Sequence, residues 1–335
     1  ESDYLKERVV RILADVYLRE LAQREAKDAE TEKAILSSGL GDLTEGRILT
    51  EVCLAFIEQR MAPSLVSSCI QKMEQNKHQD VYGAHVSILK GLDLVGKGKG
   101  KEAIPFLDDG MAKLEVTPDF REEIAGIYKE LGESKKACAQ FENIYIDAPR
   151  WPGLQENLAE CGSTDTLTEK LDAIRKESIL KVRIENPQVV SPLVLSDESD
   201  NALSLELSKD SKLRVLVFFA TWCPHCQEEM PHLVEFYGQL QESDLKDKAE
   251  IVAVRTAISR ESLEFSLFKK VFKIPFEIMT DKGITFETFA KEQGIQASYP
   301  TVAIANQKGE IVYYLPRNSH GDTSKELFWL LRSLL

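Results

Sequence analysis

The sequence predicts two domains of different class in tandem: an all-α domain over residues 1–183, then an α/β domain over residues 187–335. Three observations predict this. The first half carries apolar residues at helical spacing almost throughout, with few β-branched runs. Two prolines in Asn186-Pro187-Gln188-Val189-Val190-Ser191-Pro192 then interrupt the chain, and no helix passes through them. Beyond that point, short β-branched and aromatic runs alternate with helical patterns.

In the first half, Val9, Ile12, Leu13, Val16 and Tyr17 form one apolar stripe, and Ile48, Val52, Ala55, Phe56 and Gln59 begin another. Pro63 and the glycine cluster over 96–100 mark breaks between helices. An internal repeat follows. Gly98 and Gly132 are 34 residues apart, as are Ala103 and Ala137, and Leu107 and Phe141. In the clearer copy Ile124, Ala125, Tyr128, Gly132, Ala137, Phe141, Ile144 and Pro149 stand at the spacings of a helix–turn–helix unit. The small alanines let two helices approach, Gly132 lies in the turn and Pro149 stops the second helix. This part is similar to the tetratricopeptide family, whose stacked repeats leave a concave protein-binding surface. The upstream copy departs from that pattern, because its proline arrives late, at Pro118.

In the second half, strands are expected at 214–219, 250–255, 301–305 and 310–314, and helices at 223–242, 261–272, 284–292 and 324–334. Asn306-Gln307-Lys308-Gly309 reads as a hairpin turn, with glycine where positive φ is wanted. The first strand runs directly into Trp222-Cys223-Pro224-His225-Cys226. A thiolate is favoured by the free backbone N–H groups of a helix's first turn, and a second thiol one turn along can close a disulfide with it. A strand followed by Cys-x-x-Cys at a helix start is therefore a two-electron redox device.

The α/β half resembles the thioredoxin superfamily and, within it, the TlpA/ResA-like periplasmic branch. The resemblance rests on Phe218 to Pro231, on the lead-in Val194-Leu195 and Leu203-Ser204-Leu205, and on Gln296-Ala297-Ser298-Tyr299-Pro300-Thr301-Val302-Ala303-Ile304. It implies a thiol–disulfide oxidoreductase that exchanges electrons with protein cysteines and needs no organic cofactor or metal. Cys223 is then the attacking thiolate and Cys226 the resolving one. Pro224 stiffens the turn, and His225 adds positive charge or a hydrogen bond beside the Cys223 sulfur. Glu229 matches a carboxylate near the pair that holds or accepts a proton. Pro300 is the expected cis-proline, and Trp222, Tyr299 and Pro300 border the substrate.

Two residues depart from the family pattern. Tyr299 replaces a small or β-branched residue, which makes its ring a candidate gate. Val217 stands where thioredoxin has a buried Asp, and Glu229 is the candidate to take over its proton handling. The Pro224-His225 pair is that of DsbA-like oxidases, whereas the TlpA/ResA-like resemblance points to reduction, so the direction of electron flow stays open. A competing class is an interaction scaffold whose α/β module mainly binds partners. Intact Cys223, Cys226 and Pro300 weigh against it.

The remaining cysteines, Cys53, Cys69, Cys138 and Cys161, read either as small apolar core residues or as disulfides pairing 53 with 69 and 138 with 161. Such disulfides suit a periplasmic or other extracytoplasmic location. The chain opens without Met and without a signal-peptide pattern, as a mature or trimmed form would. A net charge of -13 over 335 residues argues against general nucleic-acid binding. No second Cys-x-x-Cys or nearby Cys/His pair completes a zinc site, and Gln227 stands where haem attachment would need His. The expected partners are protein thiols and disulfides at the α/β domain and a further protein on the helical one.

Overall fold

A computed structural model of the chain describes residues 50, 53 and 63–335, apart from short segments at 76–78, 163–164, 188–192, 198–200, 207–211, 257–264, 282–284, 293–296 and 317–319. The apolar stripes predicted from Val9 to Tyr17 and from Ile48 to Gln59 lie outside the described residues. The chain divides into two compact units, Glu1–Phe141 and Glu142–Leu335.

In the first unit, α1 (Pro63–Glu74), α2 (Gln79–Gly96), α3 (Gly100–Lys113) and α4 (Pro118–Glu130) are followed by α5 (Ser134–Asp147), which runs into the second unit. Pro63 and Pro118 are each the first residue of a helix, where the missing N–H costs nothing. Pro118 thus opens a helix rather than closing one. Two glycines set the packing of α2 on α3. A Cβ on Gly91 would collide with the Leu107 side chain, and one on Gly110 would meet Ile88 and lie 3.0 Å from the Ala84 carbonyl oxygen.

The 34-residue spacing extends to the backbone. At the first turn Gly98 N–H bonds Val95 O and Lys99 N–H bonds Leu94 O; at the second, Gly132 N–H bonds Lys129 O and Glu133 N–H bonds Tyr128 O. Both glycines are left-handed, at φ 73° and 78°. Ala103, Ala137, Leu107 and Phe141 are all buried. Cys53 and Cys69 form a disulfide, and neither Cys138 nor Cys161 is a free thiol.

The second unit contains α6 (Leu154–Glu160), α7 (Asp165–Lys181) and a sheet with its covering helices. The strands are β1 (Leu193–Ser196), β2 (Ala202–Leu205), β3 (Leu213–Phe219), β4 (Ala249–Thr256), β5 (Glu277–Asp281), β6 (Thr301–Ala305) and β7 (Ile311–Pro316). Their order is β2-β1-β5-β4-β3-β6-β7. β3, β4 and β5 run parallel, while β6, β7 and the β1–β2 hairpin join antiparallel. The helices are α8 (Pro224–Glu242), α9 (Phe265–Phe272), α10 (Thr285–Glu292) and α11 (Thr323–Arg332).

Every residue of β3 is buried, as expected of a continuous apolar run covered on both faces. Leu213, Val215, Val217 and Phe219 pack with α8, α9 and α11, whereas Leu216 and Phe218 pack with β1 and α10. The hairpin between β6 and β7 turns on Gly309, at φ 79°. Three strands were not foreseen as such. β5 is short and half polar, and β1 and β2 are each 4 residues long.

Beside the sheet, α7 packs on α11 through a buried arginine. Arg175 reaches Glu326 Oε1 at 2.6 Å and Asp172 Oδ1 at 3.0 Å, and its guanidinium lies between the rings of Tyr145 and Trp329. The chain leaving α7 then pairs with the sheet edge, where Ile184 N–H bonds Val312 O at 2.9 Å. Arg175→Leu leaves the Glu326 carboxylate without its cation in a nearly dry site. Equilibrium urea unfolding should show a loss of about 3 kcal/mol. The double variant with Glu326→Leu should recover part of that loss.

Candidate functional site

The site sits where β3 ends and α8 begins. Cys223 is the N-cap of α8, with an extended backbone (φ -84°, ψ 119°), and Pro224 is the first helical residue. The Cys223 carbonyl accepts from the N–H groups of Cys226 and Gln227, so the first turn closes on it. Both cysteines are free thiols. Cys223 is 7% exposed and Cys226 1%, so Cys223 is the more accessible of the two.

Each thiol has a backbone neighbour. The Ala220 N–H points at Cys226 Sγ at 3.5 Å, and Cys223 Sγ donates to the Tyr299 carbonyl at the same distance. Tyr299 precedes Pro300 through a cis peptide bond, as expected for that proline. The register that pairs Phe218 with Thr301 brings this loop to the end of β3. The Trp222 ring meets the Tyr299 ring edge-on, with centroids 6.4 Å apart.

Glu229 is fully buried one helical turn beyond Cys226, and its Oε1 accepts from the Thr323 hydroxyl at 2.6 Å. Burial pushes the Cys226 thiol far above its ordinary range, and the charges of Cys223 and Glu229 push it the same way. The Ala220 N–H opposes the shift. Cys226 is therefore held as a neutral thiol. His225 stands on the outer face of the first turn, its side chain 71% exposed and its Nδ1 3.3 Å from Glu228 Oε2. Val217 is buried in the cluster that also holds Cys226.

Three participants have no signature in the sequence. Thr323, which holds Glu229, comes from the first residue of α11, 94 positions away. Glu287 accepts a hydrogen bond from the Tyr299 phenol, and the Ala220 N–H acts through its backbone. Among the described residues, no group of three or more His, Cys, Asp or Glu side chains is arranged to hold a metal ion.

Residues 210–311, which span β3 to the start of β7, match the family described as thioredoxin-like. The thiol-disulfide oxidoreductase ResA of Halalkalibacterium halodurans is 34% identical over 110 residues, covering 32% of this chain and 57% of that protein. The thioredoxin-like protein YneN of Bacillus subtilis is 30% identical over 137 residues, covering 39% of this chain and 71% of that protein. The chain belongs to the thioredoxin-like family. Among solved structures, StoA from Bacillus subtilis is 26% identical, aligned over 43% of this chain and 99% of StoA, with a TM-score of 0.32.

Within this thioredoxin-like unit the two sulfurs should differ sharply in reactivity. Iodoacetamide at neutral pH should label Cys223 at least about tenfold faster than Cys226, read by mass spectrometry of the reduced protein. Glu229→Gln removes a charge that raises the Cys226 value, so the value falls and Cys226 labelling above pH 8 should speed up. Unchanged Cys226 labelling in that variant would remove Glu229 as an electrostatic neighbour.

Proposed function

We propose that this thioredoxin-like chain is a thiol–disulfide oxidoreductase acting on cysteines of other proteins. One observation carries the reading: two free thiols in the first turn of α8 lie between a buried carboxylate and the Tyr299 carbonyl beside a cis-proline. The names of ResA and of the sporulation thiol-disulfide oxidoreductase A of Bacillus subtilis, 28% identical over 129 residues, support the same activity. The chain covers only 57% of the ResA protein's length.

The chemistry needs only the sulfur pair. In the reducing direction, the Cys223 thiolate attacks one sulfur of a substrate disulfide. That S–S bond breaks, a mixed disulfide forms and the first substrate thiolate leaves to take up a proton. Cys226 then gives its proton to Glu229 and attacks the Cys223 sulfur, releasing the second substrate thiolate and leaving the Cys223–Cys226 disulfide. Two electrons pass to the substrate, and Glu229 returns the proton to solvent. Oxidation runs the same steps backwards. Pro224 and the α8 N-terminus fix Cys223, and Trp222, Tyr299 and Pro300 border the substrate chain. His225, on the exposed face, adds positive charge to the rim when protonated.

The helical unit serves as a docking or oligomerisation arm of tetratricopeptide type. Equivalent turns, hydrogen bonds and buried residues recurring every 34 positions support that reading. The Cys53–Cys69 disulfide supports an extracytoplasmic location, since cytosolic thiols are kept reduced. No described helix is long and apolar enough to cross a membrane.

Insulin reduction with a dithiol as electron donor tests the activity. Turnover should vanish in Cys223→Ser, whereas Cys226→Ser should accumulate a mixed disulfide with its substrate. Wild type without cysteine-dependent turnover, in either insulin reduction or dithiol oxidation, would sink the reading. Equilibration with glutathione reads the direction: a potential near about -270 mV marks a reductase and one near about -120 mV an oxidant.

A further inference from the structure

The two ends of Tyr299 do different things. Its carbonyl accepts from Cys223 Sγ, while its phenol, on the other side of the residue, donates to Glu287 Oε1 at 2.5 Å. The Thr256 hydroxyl hydrogen-bonds the same phenol from the end of β4. Burial and the Glu287 bond together raise the phenol well above its usual value, so it remains a donor throughout the working pH range. Between these ends the ring is braced by Trp222 and, at 5.4 Å, by Phe286.

Glu287 itself is held from below. It lies in the first turn of α10, where Asp281 Oδ2 accepts the Phe286 N–H at 2.9 Å. Phe286 stacks on Phe218 of β3 with centroids 4.2 Å apart. The carboxylate is therefore built on the same strand that delivers the cysteines. Its second oxygen, Oε2, is buried and has no hydrogen bond. A carboxylate with one oxygen buried and unsatisfied is costly, and an apolar pair at 287 and 299 would avoid that cost. Stability alone does not explain it.

We infer that Glu287 is a positioning residue: through the Tyr299 phenol it locks the residue before Pro300, so that the Tyr299 backbone stays aligned with Cys223 for an extended polypeptide substrate. The inference rests on the thiol–disulfide exchange reading above. Locking serves substrates that pair with the backbone edge. A small disulfide needs only the Cys223 sulfur and draws nothing from it. Glu287 thus discriminates by substrate class, favouring cysteines carried in an extended chain. It also removes the Tyr299 ring from the role of a swinging gate, because the phenol is hydrogen-bonded and the ring packs against Trp222 and Phe286.

Four variants test this against two substrates, insulin and the small aromatic disulfide 5,5′-dithiobis(2-nitrobenzoate). Tyr299→Phe and Glu287→Leu should each raise KM for insulin by about tenfold, with kcat within about twofold of wild type. Their double variant should be no worse than either single one, because both remove the same bond. Glu287→Gln keeps an acceptor oxygen and should stay within about twofold of wild type. Turnover of the small disulfide and the reduction potential should be unchanged in Glu287→Leu and Glu287→Gln. Unaltered insulin KM in Tyr299→Phe, additive losses in the double variant, or equal losses with the small disulfide would each overturn the positioning role while wild-type turnover persists. Wild type without Cys223-dependent turnover of either substrate would instead remove the exchange reading, and the positioning role with it.

Discussion

The active end of the sheet depends on one register. Phe218 of β3 pairs with Thr301 of β6, and Phe219 of β3 with Arg255 of β4. Because β3 is central and buried on both faces, a slip of one residue would turn its apolar side chains to the wrong layers and is strongly disfavoured. That constraint decides where the chain leaves the strand, and so where the α8 N-terminus lies. The same pairing sets Tyr299 and Pro300 opposite the cysteines, and the β4 neighbour delivers Thr256 to the Tyr299 phenol. A few backbone pairings thus bring together groups that are 76 residues apart in the chain, Cys223 and Tyr299.

α11 carries the second half of the design. Its first residue, Thr323, holds Glu229, and one turn later Glu326 meets Arg175 of α7. Its N-cap, Asp322, accepts from Lys325 N–H and also meets Arg150 at 3.2 Å. Arg150 in turn contacts Glu235 on α8. The carboxylate beside Cys226 is therefore oriented by a helix that is itself clamped from two directions. Of these clamping ion pairs only Arg175–Glu326 is nearly dry, so its loss would leave charge in a poorly solvated place.

How much of this was legible follows from the kind of signal each part leaves. β3, β4, β6 and β7 are dense apolar runs, and the first is joined to Cys-x-x-Cys, so both the strands and the dithiol could be read directly. The cis-proline was legible through its family resemblance, and the structure has it at Tyr299-Pro300. Glu-Ile-Met-Thr-Asp in β5 is short and half polar, with Glu277 exposed at one end and Asp281 acting on Tyr299 at the other, and pattern reading missed it. Thr323 and Glu287 were invisible for a different reason. Each acts through one contact between distant segments, and no local spacing announces such a contact. The helices over 142–181 were legible as helices, but periodicity does not say which unit a helix packs with. Burial of Arg175 against α11 answers that in three dimensions.

The chain also carries a bond of the very kind its proposed chemistry would exchange. Cys53 and Cys69 are joined in a disulfide, and both residues are wholly inaccessible. Exchange requires a thiolate to approach a sulfur along the S–S axis, which burial forbids until the surrounding helices open. Cys223 keeps a small exposed face and lies at a helix end. Two sulfur pairs can thus share one polypeptide and one solvent yet run on separate clocks. In the proposed exchange the dithiol turns over with each encounter, whereas the helical disulfide exchanges only as often as its unit breathes.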